Sequence, residues 1–169
     1  EWDAEAAEKS GYEHFMIKEI HEQPKAVSDT LNSVIKDGMI DLSEVGLSEE
    51  EIKEISQIYI VACGSAYHVG VAAQYVIEDF ARIPVRVELA SEFRYRNPIL
   101  DPKGLVVIIS QSGETADSLA ALRESKKQGV KTLGIVNVIG SSIAREADNV
   151  YYTLAGPEIA VATTKAYST

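Results

Sequence analysis

The sequence has few of the residues that build disulfides and metal centres. It contains one cysteine, Cys63, and three histidines. A single cysteine excludes an internal disulfide, and this usage is typical of a protein in a reducing, cytoplasmic compartment. The spacing of the cysteine and the histidines matches no zinc motif. We therefore expect neither a bound metal nor another cofactor.

Long apolar runs and an excess of basic residues are also lacking. No segment has the length needed to cross a bilayer, and the N-terminus lacks the basic-then-apolar pattern of a secretory signal. Acidic residues number 26 against 16 lysines and arginines. Residues 1–56 hold 15 of these acids and five lysines, a net charge of −10, whereas the remaining residues are balanced. We expect neither nucleic acid nor a membrane surface as a partner.

The length of 169 residues allows one α/β core with a modest appendage. The chain starts at Glu1 and stops at Thr169, within what resembles the opening of a helix. We interpret it as part of a longer protein. Residues 1–12 are polar and predict an interdomain linker, and residues 13–56 predict an N-terminal helical segment.

Apolar spacing within that helical segment predicts short helices. The first is expected from Glu13 to about His21, ended by Pro24, and a second from Pro24 to Ile35. Ser48 followed by three glutamates predicts the cap of a third short helix.

Residues 57–169 alternate between short apolar runs, typical of buried strands, and segments with the apolar spacing of helices. Apolar runs predict strands at 57–62, 84–89, 105–110, 132–138 and 149–154. Helices are predicted between them, at 66–80, 91–96, 114–128 and 142–147. This alternation predicts a parallel sheet with helices on both faces, in which ligands bind beyond the carboxyl ends of the strands.

The junction after the third of these strands concentrates hydrogen-bonding groups. Ser110, Gln111, Ser112 and Thr115 lie there, with no lysine or arginine, and Ser112 is the expected N-cap of the following helix. Such a cluster suits a phosphate monoester held by neutral donors. The alternative is that these residues only cap the helix.

Small hydroxyl residues and glycines follow the other strands as well. They are Ser65 after the first strand, Asn137 and Gly140–Ser142 after the fourth, and Gly156, Glu158 and 161–165 after the fifth. Four such ends on one edge favour a polyhydroxylated, phosphorylated ligand over capping alone. A nucleotide is less favoured, because neither a Gly-x-Gly-x-x-Gly motif nor a Gly-Lys-Ser/Thr sequence occurs.

A few residues have two possible interpretations. Cys63 precedes a predicted helix and is a candidate nucleophile, but a small buried residue at a strand end is the favoured interpretation. Lys165 and Glu158 are candidates for a base or a charge partner, or for ordinary surface roles. Arg94 and Arg96 are candidates for anion or subunit contacts, with a solvated face as the default.

Several motifs, in order along the chain, resemble the glucosamine-6-phosphate synthases, the isomerizing glutamine–fructose-6-phosphate aminotransferases. They are HFMIKEIHEQP at 14–24, ACGS at 62–65, ASEFRYR at 90–96, SQSGETAD at 110–117 and VATTKA at 161–166. The resemblance implies the sugar isomerase (SIS) fold, a flavodoxin-like αβα sandwich with a five-stranded parallel sheet. It also implies a cytoplasmic homodimer that binds fructose-6-phosphate and glucosamine-6-phosphate without a cofactor.

The resemblance assigns substrate contacts to particular positions. Those expected to hold the phosphate are Ser110, Gln111, Ser112 and Thr115. Those expected near the sugar are Ser65, Val161 and Thr163. Many members of the family have a second hydroxyl where this chain has Ala66, which removes one hydrogen bond of about 1 kcal/mol.

The family's catalytic glutamate, histidine and lysine, and its glutaminase cysteine, fall outside these 169 residues. The resemblance therefore implies a sugar-phosphate-binding part without catalytic residues. Two other functions stay open at this point: a regulatory SIS module that senses a phosphosugar, and a flavodoxin-like nucleotide-binding domain.

Overall fold

The computed structural model describes residues 8–169, so the first seven residues of the predicted linker lie outside the described part. The helices are α1 (Phe15–Asn32), α2 (Glu49–Glu54), α3 (Gly64–Ala81), α4 (Ala90–Phe93), α5 (Ala116–Lys127), α6 (Ser142–Glu146) and α7 (Lys165–Ser168). The strands are β1 (Ile35–Lys36), β2 (Met39–Ile40), β3 (Gln57–Ala62), β4 (Val85–Leu89), β5 (Gly104–Ser110), β6 (Lys131–Val136) and β7 (Asn149–Tyr152). Among residues 8–169, no helix combines the length and the apolar character needed to span a bilayer.

The main sheet has five strands in the order β4-β3-β5-β6-β7. β3 pairs in parallel with both β4 and β5, and β5 pairs in parallel with β6. β3 and β5 are buried almost throughout, as expected for continuous apolar runs covered on both faces. The predicted αβα sandwich with a five-stranded parallel sheet is confirmed.

Helices cover both faces of this sheet. On one face Ile60, Val85, Leu105 and Val107 form a core cluster against which α3 packs. A side chain at Gly70 of α3 would come within 2.7 Å of Ile60, so glycine allows the close approach of helix and strand. On the other face α5 packs on β5 and β6 and contributes the fully buried Ala121 and Leu122.

The strand order reverses direction at the centre of the sheet. The chain passes from β3 outward to β4, then returns to the opposite side of β3 with β5. The connections that leave the carboxyl ends of β3 and β5 therefore diverge, and a crevice opens between them. This position is the one where open α/β sheets bind ligands.

Two compact units divide the chain. One comprises Leu42–Tyr151 and contains nearly the whole main sheet. The other combines the described residues up to Asp41 with Tyr152–Thr169, and in it α1 packs on α7.

Helix α1 continues through the proline that was expected to end it. The prediction of two short helices separated at Pro24 is therefore wrong. Proline lacks the N–H that would bond to the carbonyl of Ile20, but Gln23 Nε2 donates to that oxygen at 3.1 Å. The neighbouring glutamine side chain thus satisfies the acceptor that proline leaves open.

Two other local predictions differ from the structure. Residues 35–40 form a small antiparallel hairpin across Asp37 and Gly38, both with positive φ, which is the Asp-Gly signal of a tight turn. The N-cap of α5 is Thr115 rather than Ser112. Ser48 and Glu51 do form the expected capping box of α2, and the five main strands lie within two residues of their predicted ends.

Candidate functional site

The crevice is lined by the first turn of α3 and by the loop 111–115 that joins β5 to α5. Strand register pairs Ala62 with Ile109, so Cys63 and Ser110 are the next positions at the same edge of the sheet. Cys63 Sγ lies 3.8 Å from Ser118 Oγ in the first turns of α5. The starts of the two helices are therefore adjacent.

Backbone amides organise the hydroxyls of the loop. Gly113 N donates to Ser110 Oγ at 3.1 Å, and Ser110 Oγ lies 3.0 Å from Thr115 Oγ1. Glu114 N donates to Ser112 Oγ at 3.2 Å. Ser110 and Ser112 each accept from a backbone N–H, so the proton of each hydroxyl remains for donation. Ser110 and Thr115 share one hydrogen bond, in which either oxygen can be the donor. Such chains polarise their terminal O–H groups, which suits an anion.

The two long helices that start at the crevice begin without side-chain caps. The N-cap residues are Cys63 for α3 and Thr115 for α5, and neither makes a side-chain hydrogen bond to the first turn. The first backbone N–H groups of both helices are thus open to a ligand, and both helix dipoles place partial positive charge there. Because the Thr115 side chain makes no capping bond, capping of α5 does not explain why a threonine stands at this position.

The loop depends on a glycine in the left-handed region. Gly113 has a φ of +65°, and a Cβ at this position would lie 2.1 Å from Ser141 Oγ. Ser141 is 3% exposed, and its hydroxyl has no hydrogen-bond partner within residues 8–169. Sequence reasoning placed Ser141 among ligand-facing groups and missed its packing on Gly113. The -Ser-Gly- pair in the loop was the available signal for a tight approach.

The connection from β6 to α6 supports the loop from behind. Asn137 N donates to the Gln111 carbonyl at 3.0 Å, and Ile143 N donates to the Gly113 carbonyl at 3.0 Å. Asn137 and Ser141 are both buried. The strand ends predicted to face a common ligand therefore have different roles: β3 and β5 supply accessible groups, and the end of β6 holds the β5 loop in place.

The predicted phosphate contacts differ in their exposure. Ser110 is buried, Gln111 and Thr115 are half-buried, and Ser112 is exposed. Ser65, in the first turn of α3, is half-buried. The structure therefore places five of the seven predicted binding residues at the carboxyl ends of the neighbouring strands β3 and β5.

Val161 and Thr163 belong to the other compact unit. Val161 is 94% exposed, and the adjacent Ala162 has a φ of +77°, which is strained for a residue with a Cβ. The backbone N–H groups of Ile159 and Ala160 donate to Glu19 Oε1 of α1 at 2.7 and 3.0 Å. A buried carboxylate thus holds the segment just before the two predicted contacts.

The charged residues considered from the sequence are engaged in ion pairs or backbone contacts. Lys165 is 4% exposed and its Nζ lies 2.6 Å from Glu22 Oε2. Glu158 Oε2 accepts hydrogen bonds from the backbone N–H groups of Thr164 and Ala166. Arg94 pairs with Asp117 at 2.6 Å, which raises the pKa of the guanidinium, and Arg96 pairs with Glu88.

Comparison with known proteins agrees with this geometry. The SIS domain profile matches residues 51–169. A glutamine–fructose-6-phosphate aminotransferase [isomerizing] of Caldanaerobacter subterraneus subsp. tengcongensis is 62% identical over 99% of this chain, and that of Clostridium acetobutylicum is 62% identical over all of it. The chain spans 28% of the length of each of these relatives.

Among solved structures, the C-terminal domain of glucosamine-fructose-6-phosphate aminotransferase from Francisella tularensis superposes with a TM-score of 0.90. It is 49% identical, and the match covers 95% of this chain and 45% of that one. The family resemblance seen in the motifs is therefore confirmed along nearly the whole sequence. The chain belongs to the SIS domain family.

Proposed function

We propose that the chain is the sugar-phosphate-binding part of an enzyme that converts fructose-6-phosphate and glutamine into glucosamine-6-phosphate and glutamate. The observation that carries this proposal is the hydrogen-bonded cluster of the Ser110, Ser112 and Thr115 hydroxyls after β5, at the edge where α/β sheets bind ligands. Support also comes from relatives at 62% identity that are named for this reaction.

The phosphate binds, in this proposal, through neutral donors rather than through a lysine or arginine. Ser112 and Thr115 donate their hydroxyl protons, and the first N–H groups of α5 complete the set, as at other helix N-termini that hold phosphate. A hydrogen bond to a charged group contributes about 1.5–3 kcal/mol, so a few such donors suffice for recognition. Ser65, Gln111, Val161 and Thr163 remain predicted contacts on the strength of the motifs.

We further propose that the chain binds the sugar phosphate without turning it over. In the described residues, the two charged groups considered as bases are both occupied: Lys165 by Glu22, and Glu158 by backbone N–H groups. The acid–base residues that the family resemblance implies lie outside the 169 residues. The resemblance also underlies our proposal that the protein is a cytoplasmic homodimer. Sedimentation of the purified chain tests whether it forms the dimer.

Isothermal titration of the chain with fructose-6-phosphate and with glucosamine-6-phosphate tests the proposed binding. Thr115→Ala and Ser112→Ala each remove one donor, and we expect each to weaken binding about threefold to tenfold. Ser56→Ala is the matched control, since this exposed serine lies just before β3, at the opposite edge of the sheet.

Three results would contradict the proposal. Failure of the wild-type chain to bind either sugar phosphate removes the assigned ligand, and tighter binding of FMN or NAD favours the nucleotide-binding alternative. Conversion of fructose-6-phosphate by the chain alone, followed by NMR, contradicts the assignment as a part without catalytic residues.

A further inference from the structure

An acidic residue lies within the anion-binding loop. Glu114 stands between Ser112 and Thr115, in a loop that contains no basic side chain. Its exposed carboxylate does not turn to the crevice hydroxyls: Oε1 accepts a hydrogen bond from Ser142 N, at the start of α6, at 2.7 Å. Hydrogen bonding from Ser142, with Arg145 nearby, lowers the pKa of Glu114 below its ordinary value. The carboxylate therefore stays ionised at neutral pH and faces donors.

The contact between the loop and α6 is double. Next to the Ser142 bond, Ile143 N donates to the Gly113 carbonyl at 3.0 Å. Ser141, the N-cap of α6, makes no side-chain capping bond. Two consecutive loop residues thus supply the acceptors that the N-terminal N–H groups of α6 require. The loop caps α6, and α6 in turn fixes the position of the loop.

We propose that Glu114 is a positioning residue, whose hydrogen bond to α6 holds the loop 111–115 in its anion-binding shape; this rests on the proposed function. The amide of Glu114 bonds to Ser112, and the amide of Gly113 bonds to Ser110. Both amides belong to the two residues that α6 anchors. Release of the Glu114 side chain therefore disturbs the hydroxyl arrangement that faces the phosphate, although the carboxylate itself touches no phosphate.

If the Glu114 carboxylate acted on the phosphate only by charge repulsion, its removal would strengthen binding, whereas loss of the positioning hydrogen bond would weaken it. A carboxylate near a bound phosphate lowers affinity, so its removal alone would tighten binding. Glu114→Ala and Glu114→Gln both remove the charge, but only glutamine keeps an oxygen that accepts from Ser142 N. The difference between the two variants isolates the hydrogen bond.

Titration of the chain with fructose-6-phosphate is the first measurement. We expect Glu114→Ala to bind about fivefold to tenfold more weakly than Glu114→Gln, and the glutamine variant to stay within about twofold of wild type. Glu51→Ala is the matched control, because Glu51 Oε2 also accepts from a helix-capping backbone N–H, that of Ser48 at 2.9 Å, in another part of the fold. This control should leave affinity unchanged.

Amide hydrogen exchange on the unliganded variants is the second measurement, and it separates this inference from the proposed function. We expect faster exchange at Gly113 and Ile143 in Glu114→Ala than in Glu114→Gln or Glu51→Ala. Absence of binding by the wild type defeats the proposed ligand, and the exchange data then still decide the positioning role. Equal affinity and equal exchange in the alanine and glutamine variants would overturn the positioning role of Glu114. Tighter binding by both variants than by wild type would also overturn it.

Discussion

The loop after β5 and the segment after β7 are both rich in small hydroxyl residues, yet different chemistry holds each of them. The loop 111–115 is organised mainly by serine and threonine hydroxyls and by backbone carbonyls, with one exposed carboxylate, that of Glu114, bonded to α6. The segment 158–166 is held by carboxylates, because Glu19 accepts from two of its backbone N–H groups and Glu22 pairs with Lys165.

This difference gives the acidic N-terminal region a structural role. Its net negative charge suggests a solvated surface, but Glu19 is 2% exposed and Lys18, which neighbours Glu22, is also buried. Buried charges are retained where they are paired and hydrogen-bonded. The loop proposed to receive a doubly charged phosphate is instead built mainly from neutral donors, which need no counter-charge when it is empty.

The largest effect is expected from Glu19→Ala. The change leaves the N–H groups of Ile159 and Ala160 and the hydroxyl of Thr164 without their acceptor. A buried unpaired donor costs about 1–3 kcal/mol, and these three donors are partly buried, so we expect the free energy of unfolding to fall by about 3 kcal/mol in urea denaturation. Lys25→Ala, which removes an exposed ion pair of the same helix, should cost less than about 0.5 kcal/mol. Equal losses in the two variants would show that the buried carboxylate is not special.

A smaller loss of stability is expected from Gly113→Ala in the loop 111–115. The new Cβ would meet Ser141 Oγ at 2.1 Å in a left-handed conformation, so we expect a cost of about 2 kcal/mol together with loss of sugar-phosphate binding. Adding Ser141→Gly should recover part of the stability, because the contact then has room. Full stability of the single variant, measured by thermal unfolding, would contradict the observed packing.

Ser141→Ala, unlike Glu19→Ala, is expected to leave stability unchanged or to raise it. The Ser141 hydroxyl is buried without a partner in the described part of the chain, whereas Glu19 accepts from three donors. Removing an unsatisfied buried hydroxyl relieves a desolvation cost, so we expect unfolding stability to stay equal or to rise by up to about 1 kcal/mol. A loss above about 1 kcal/mol would mean that the hydroxyl has a partner in solution.

The smallest effect concerns pH. The folded pKa of Glu114 lies below its ordinary 4.5, so its contribution to stability is complete above about pH 4.5 and is lost as the pH falls through the folded value. The hydroxyls of the loop do not titrate in this range. We expect the difference in Tm between wild type and Glu114→Gln to shrink on acidification, as followed by calorimetry. A pH-independent difference would contradict the ionised hydrogen bond.

The sheet was predictable because its signal is local. The bounds of β3 follow from one apolar run, and β5 begins one residue before its predicted start. In α1 the apolar spacing gave no sign of the buried polar residues, since the helix buries Lys18, Glu19 and Thr30. The partners of Glu19 lie about 140 residues along the chain, so no local pattern reveals them.

The candidate site was predictable in residue type more than in geometry. Hydroxyls and a glycine after a buried strand indicated an anion-binding loop, and those residues do form one hydrogen-bonded cluster after β5. Where the Glu114 carboxylate points depends on α6, a neighbour joined through a separate strand. Sequence spacing does not contain that information.

The polar contacts of α1 also affect where the protein can be shortened. The SIS profile begins at residue 51, and a chain trimmed to that point would keep Lys165 but lose Glu22, and would keep Ile159 and Ala160 but lose Glu19. Its C-terminal segment would be left with a buried cation and orphaned amides. The shortest autonomous unit therefore has to include the helix upstream of the recognised domain boundary.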